Sequence, residues 1–303
     1  MRRSRHMSLE VAIRFVISIA LALSALPTIA QVSMSRVENM PNDGEAIEDS
    51  VCGKTQTSSG ALGAMQLVCQ HAIADQRPST AISFETIVIG FVGGFVKSDD
   101  PRHPEVLFAS YLRKRYGNNV DVKVFSNHDG KAATAYVTRC LDKNHDGITS
   151  NEEKRQARII IYGHSWGATE TVALARKLQR LGIPILLTIQ LDIISKFGQN
   201  PALIPPNVAK AINFYQSKGP LHGRANIVAA DPTLTAILGN FHVEYSSRSV
   251  NCDNYNWFAR TFNKPHHEIE NDPLIWIQIA ELIDATILPV KVQVAGMGSQ
   301  NER

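Results

Sequence analysis

The chain has 303 residues, 44% of them apolar and 19% charged, and 31 Lys and Arg stand against 28 Asp and Glu. That apolar content excludes a wholly disordered chain, and the length allows one or two domains. The net charge of +3 sits in residues 1–30, where Arg2, Arg3, Arg5 and Arg14 face only Glu10, so the remainder is neutral and has none of the basic striping that nucleic-acid binding requires.

Residues 1–30 run from a basic segment into the apolar stretch Phe15 to Ala30, with Thr28 and Ala30 before Gln31. This is the order of a secretory signal peptide, with cleavage expected after Ala30. The stretch is short for a membrane span, which needs about 20 apolar residues. A secreted or periplasmic location follows, and disulfides are permitted there. Cys52, Cys69, Cys140 and Cys252 all lie beyond the cleavage point. Four cysteines allow three connectivities, and the expected one pairs Cys52 with Cys69 and Cys140 with Cys252.

Residues 31–80 form an extension rich in Ser, Gly, Asn and Gln, with one candidate helix at Ala61 to Ala74. From 81 to 290 strands and helices alternate. The pattern predicts strands at Thr86–Ile89, Val120–Phe125, Arg158–Tyr162, Pro184–Leu191 and Ala209–Tyr215. It predicts helices at His103–Tyr116, Ala132–Leu141, Ala168–Leu181 and Leu274–Ile287, the last opened by Asp272 and Pro273. Such alternation implies an α/β class, with a mostly parallel sheet covered by helices on both faces. Residues 291–303 lose the pattern and read as a flexible tail.

Between the second and third of these strands, residues 142–153 carry the spacing of a calcium-binding EF-hand loop. Asp142, Asn144, Asp146, Ser150 and Glu153 would offer side-chain oxygens, Ile148 its carbonyl, and Gly147 the sharp turn. Thr149 stands where an aliphatic residue is usual, and no second loop is present to pair with. The expectation is one structural Ca2+ rather than a sensor.

Gly163-His164-Ser165-Trp166-Gly167 lies between the apolar strand RIIIY and the helix that follows. A G-x-S-x-G sequence in a strand-to-helix turn exposes a serine at the carboxyl edge of a sheet. Here the chain resembles the α/β-hydrolase superfamily, the YGHSWG stretch resembling the nucleophile elbow of its lipase and esterase branches, and the order of elements agrees over about residues 84–287. The resemblance implies Ser165 as nucleophile, followed in chain order by an acid and a histidine. Asp192, directly after a strand, is the preferred acid, with Asp231 after the run NIVAAD as its rival. His266 is the preferred base and His267 the alternative, both in a loop before the last long helix. The oxyanion hole would take the amide of Trp166 and one from Gly90–Gly94, Phe91 first and Val92 next, although that loop has neither an HG pair nor HGGG.

The implied activity is a serine esterase or lipase needing no cofactor for catalysis, acting on a small-molecule or lipid ester, the latter bringing peripheral contact with a membrane. A thioesterase or acyltransferase would use the same triad. A reading from another class is a calcium-stabilised binding protein on an inactive hydrolase scaffold. Residues 193–262 read as irregular, with Trp257, Phe258 and Phe262 as candidates to line an acyl pocket.

Overall fold

The computed structural model describes residues 86–287 apart from Arg248. The signal peptide, the extension with its candidate helix, the Cys52–Cys69 pair and the tail therefore lie outside the described residues. Eight strands occur in the described chain: β1 (Thr86–Val92), β2 (Val120–Ser126), β3 (Ile159–His164), β4 (Ile185–Leu191), β5 (Leu203–Ile204), β6 (Val208–Tyr215), β7 (Val228–Ala229) and β8 (Ala236–His242). The α-helices are α1 (Pro104–Tyr116), α2 (Gly130–Leu141), α3 (Asn151–Arg155), α4 (Trp166–Arg180), α5 (Trp257–Phe262), α6 (Lys264–Asn271) and α7 (Pro273–Ile287).

Six strands make one parallel sheet in the order β2-β1-β3-β4-β6-β8, and β5 pairs with β7 in a small second sheet. β1 and β3 are buried along their whole length, as expected of strands covered on both faces. Their side chains alternate between two cores. Val88, Ile160 and Tyr162 pack with Phe108 and Leu112 of α1 and Trp276 and Ile279 of α7. Ile87, Ile89, Phe91, Ile159 and Ile161 pack on the other face with Val137 of α2 and Val172 and Leu178 of α4. This is the α/β architecture that the resemblance implied.

The structure departs from the sequence reading at several places. β1 runs on to Val92, so Gly90 and Phe91 are strand residues, Phe91 standing opposite Phe125 on β2 and Gly163 on β3. The interval 193–262 holds β5, β7, β8 and α5 rather than irregular chain. Cys140 and Cys252 are free thiols and do not pair with each other. Cys140 donates to Asp121 near the start of β2, 3.3 Å away, and Cys252 is buried in the segment before α5. Among the described residues no helix is long and apolar enough to cross a membrane.

Candidate active site

β3 ends at His164 and α4 begins at Trp166, leaving Ser165 alone in the turn with φ 58° and ψ −122°. Such a conformation costs a non-glycine residue about 1–3 kcal/mol and persists only where the surroundings enforce it. Here the Ser165 amide donates to the Leu191 carbonyl at the end of β4, 2.9 Å away. The flanking glycines remove the collisions a tighter turn would cause. A Cβ on Gly163 would lie 2.6 Å from the Gly167 backbone, and one on Gly167 would strike the Phe91 carbonyl.

Asp192 follows β4 in an equivalent turn, also with positive φ, 44°. Its carboxylate is fully buried and saturated with donors. The Gly223 amide donates from 2.7 Å, the Gln216 side chain from 2.8 Å and the Gln216 amide from 3.2 Å. Burial alone would raise its pKa, but the His266 ring and the Gln216 hydrogen bonds outweigh that and hold the carboxyl below its ordinary value.

His266 joins the two turns. Its Nδ1 lies 2.6 Å from Asp192 Oδ2 and its Nε2 lies 3.0 Å from Ser165 Oγ. It is carried by α6, a short helix, and not by a loop, and all three residues are buried. Of the two acids weighed, Asp192 alone enters this chain. Asp231 lies in an exposed turn where its carboxylate accepts from the Thr233 amide and hydroxyl at 2.9 and 2.6 Å. His267 points elsewhere: its ring lies 3.7 Å from that of Tyr255, and burial pushes its pKa down to about 4.

The backbone that abuts Ser165 is the turn after β1. A Cβ on Gly93 would sit 3.1 Å from Ser165 Cβ, whereas Phe91 and Val92 are buried ladder residues. Trp166 occupies the first position of α4, so its amide lies at the positive end of that helix. Phe95 follows the turn with its ring edge-on to Trp166 at 5.7 Å and is 91% exposed. The aromatics expected around an acyl pocket divide differently. Trp257 and Phe262 are exposed, and Trp257 lines a polar cleft of about 570 Å³ with Ser249, Arg260 and Lys264 that does not include the triad. The side chain of Phe258 lies outside the described residues.

Behind the triad is a second buried polar group that the sequence did not reveal. His103 directly precedes α1, Glu105 lies in its first turn, His164 ends β3 and Glu270 sits on α6. All four are buried. The His164 ring lies 4.6 Å from that of His266, and burial drives its pKa down to about 3. Burial and the neighbouring Glu270 raise Glu105 well above the usual carboxylate range. For Glu270 burial acts in the same direction, but His164 and His103 outweigh it and keep the carboxyl low.

The calcium-like loop is exposed, and its oxygens meet its own amides. Asp142 accepts from the amides of Asp146 and Gly147, Asn144 from that of Asp146, and Asp146 from that of Ile148. Glu153 accepts from the amides of Lys143 and Ser150, and with Ser150 it forms a capping box that starts α3.

No family model matches the chain, and no curated protein matches it. Solved structures similar to it include a double mutant of the esterase rPPE, at 11% identity and a TM-score of 0.38 over 70% of this chain and 78% of that one. Another is the RedJ thioesterase of the prodiginine pathway in Streptomyces coelicolor, at 11% identity and a TM-score of 0.30 over 64% of this chain and 90% of that one.

Proposed function

We propose that the chain is a serine hydrolase that cleaves a carboxylic ester through an acyl-enzyme on Ser165. One observation carries this: the unbroken hydrogen-bonded chain Ser165 Oγ, His266, Asp192, with Ser165 held at positive φ between a strand and a helix. A serine hydroxyl attacks only when a base removes its proton and an acid orients that base. His266 Nε2 takes the Ser165 proton as Oγ attacks the carbonyl carbon. Asp192 keeps the other ring nitrogen protonated and stabilises the imidazolium that forms. The developing oxyanion is held by the Trp166 amide and by a second amide from the Gly93–Gly94 turn, the backbone against Ser165. Phe91 loses that role in the proposal because it sits within the strand ladder. His266 then returns the proton to the leaving alcohol, and water releases the acyl group by the reverse steps.

An apolar acyl or alcohol group is supported by Phe95, an almost fully exposed ring against that of Trp166, the residue after the nucleophile. A fluorophosphonate probe should label the wild type and not Ser165→Ala. Labelling that ignores the substitution would remove the proposal.

Two attributes accompany it. The basic and apolar order of residues 1–30 supports a location outside the cytoplasm. The oxygen spacing of residues 142–153 and the positive φ of 81° at Gly147 support a structural Ca2+. Adding Ca2+ should then raise the Tm of the wild type but not that of Asp142→Ala, and an unresponsive wild type would remove the ion.

A further inference from the structure

We propose that His103, Glu105, His164 and Glu270 form a Zn2+ site directly behind the catalytic histidine. The proposal does not depend on hydrolysis; it follows from how these four side chains are buried and spaced. One donor atom from each of His103, Glu105 and Glu270 lies within 4.8 Å of the others, the one such group among the described residues. His164 adds a fourth donor, its Nδ1 lying 3.4 Å from Glu270 Oε2 and 3.6 Å from Glu105 Oε1.

Those two distances separate competing explanations. They exceed an ordinary hydrogen bond, and His164 has no hydrogen-bond partner on either nitrogen. Two ligands sharing one tetrahedral ion at about 2.0–2.2 Å are themselves separated by roughly 3.3–3.6 Å. The contacts are thus long for hydrogen bonds and right for two ligands of one ion. Two of these unpartnered atoms, His164 Nδ1 and Glu105 Oε1, face the group from residues no more than 2% exposed, and leaving them so would be expensive without a charge between them. Two imidazoles and two carboxylates form the borderline nitrogen and oxygen donor set that suits Zn2+, and the charge of two carboxylates balances a divalent ion.

Beyond these four side chains, Tyr255 donates its hydroxyl to Glu270 and would fix the direction of that carboxylate. Its ligands come from the start of α1, the end of β3 and α6. An ion there ties the helix bearing His266 to the residue preceding Ser165. These ligands position the triad and do not touch substrate.

The full chain, stripped with a chelator and dialysed, would be titrated with Zn2+ against a chromophoric competitor, and its zinc shell read by X-ray absorption. The expected result is one Zn2+ per chain with a nitrogen and oxygen shell containing imidazole, and a raised Tm. Affinity should fall at least about 100-fold in Glu105→Gln and His103→Gln and be unchanged in Ser165→Ala and Asp142→Ala, which separates this site from the nucleophile and from the calcium-like loop. Should the variants not fold, the absorption spectrum of the wild type decides. A folded chain that takes up no stoichiometric Zn2+, a shell containing sulfur, or full affinity in the folded Glu105→Gln protein would each overturn the proposal. Loss of fluorophosphonate labelling with zinc binding intact would count against the hydrolase reading alone.

Discussion

Ser165, His266 and Asp192 are buried about as deeply as Glu105, His164 and Glu270, and the two groups touch through the rings of His266 and His164. In the first group every linking atom has a partner within 3.0 Å, and Asp192 is further clamped by Gly223 and Gln216. In the second, His164 has no hydrogen-bond partner on either ring nitrogen, and Glu105 faces only the carboxylate of Glu270 and the His164 ring. Burial is therefore not what distinguishes them. The closed group can hold and move a proton with nothing added, and the open group calls for a ligand. The exposed loop 142–153 provides a third case: its own amides partner its acids, so only the spacing of its oxygens and the turn at Gly147 point to an ion.

Breaking the closed group should have the largest effect. His266→Ala should lower kcat for a nitrophenyl ester by on the order of 10⁴–10⁶-fold, with the fold intact by circular dichroism. Asp192→Asn leaves the ring without its orienting carboxylate and should cost about 10⁴-fold. Asp231→Asn, in an exposed turn away from the chain, should stay within about threefold, and equal losses in the two variants would refute the assignment of the acid.

The closed group should also leave a signature in stability against pH. The Asp192 carboxyl is held below its ordinary value, so the stability it contributes is fully present above the unfolded value near 4 and is lost as pH falls through the folded one. The groups facing it are His266, Gln216 and the Gly223 amide. The Tm gap between wild type and Asp192→Asn should thus be widest above about pH 5 and narrow as acid is added. A gap that widens in acid would contradict the sign. The smallest effect belongs to His267→Gln, which should change kcat by less than about tenfold, because that ring lies against Tyr255 and outside the chain.

The sequence revealed those parts of the molecule whose cause is local. Strand and helix periods located the core elements, and G-x-S-x-G in a strand-to-helix context located Ser165. Asp192 was accessible because it follows a strand directly. Elsewhere the cause lay in tertiary contact. Gly90 looks like a loop residue, yet it is a strand position where a Cβ would lie 2.6 Å from the Tyr162 ring. β8 escaped because its edge strand AILGNFH is only partly covered and so lacks an apolar run. α6 escaped because KPHHEIEN is polar, although the fold buries six of its eight residues. The Cys140–Cys252 pairing was what remained once Cys52 and Cys69, near in sequence, were paired, and a remainder carries no distance. The group at His103, Glu105, His164 and Glu270 is assembled from positions up to 167 apart in the chain. Each of those residues alone reads as a helix start, an elbow spacer or a polar helix residue.

The central claim is that Ser165 carries the acyl group during turnover. Its most direct test is rapid acid quenching of the protein with a slowly hydrolysed nitrophenyl ester, followed by peptide mass analysis. The account predicts an acyl adduct on Ser165 in the wild type that is absent from Ser165→Ala. Ester turnover that survives in Ser165→Ala, or an adduct found on another residue, would contradict it.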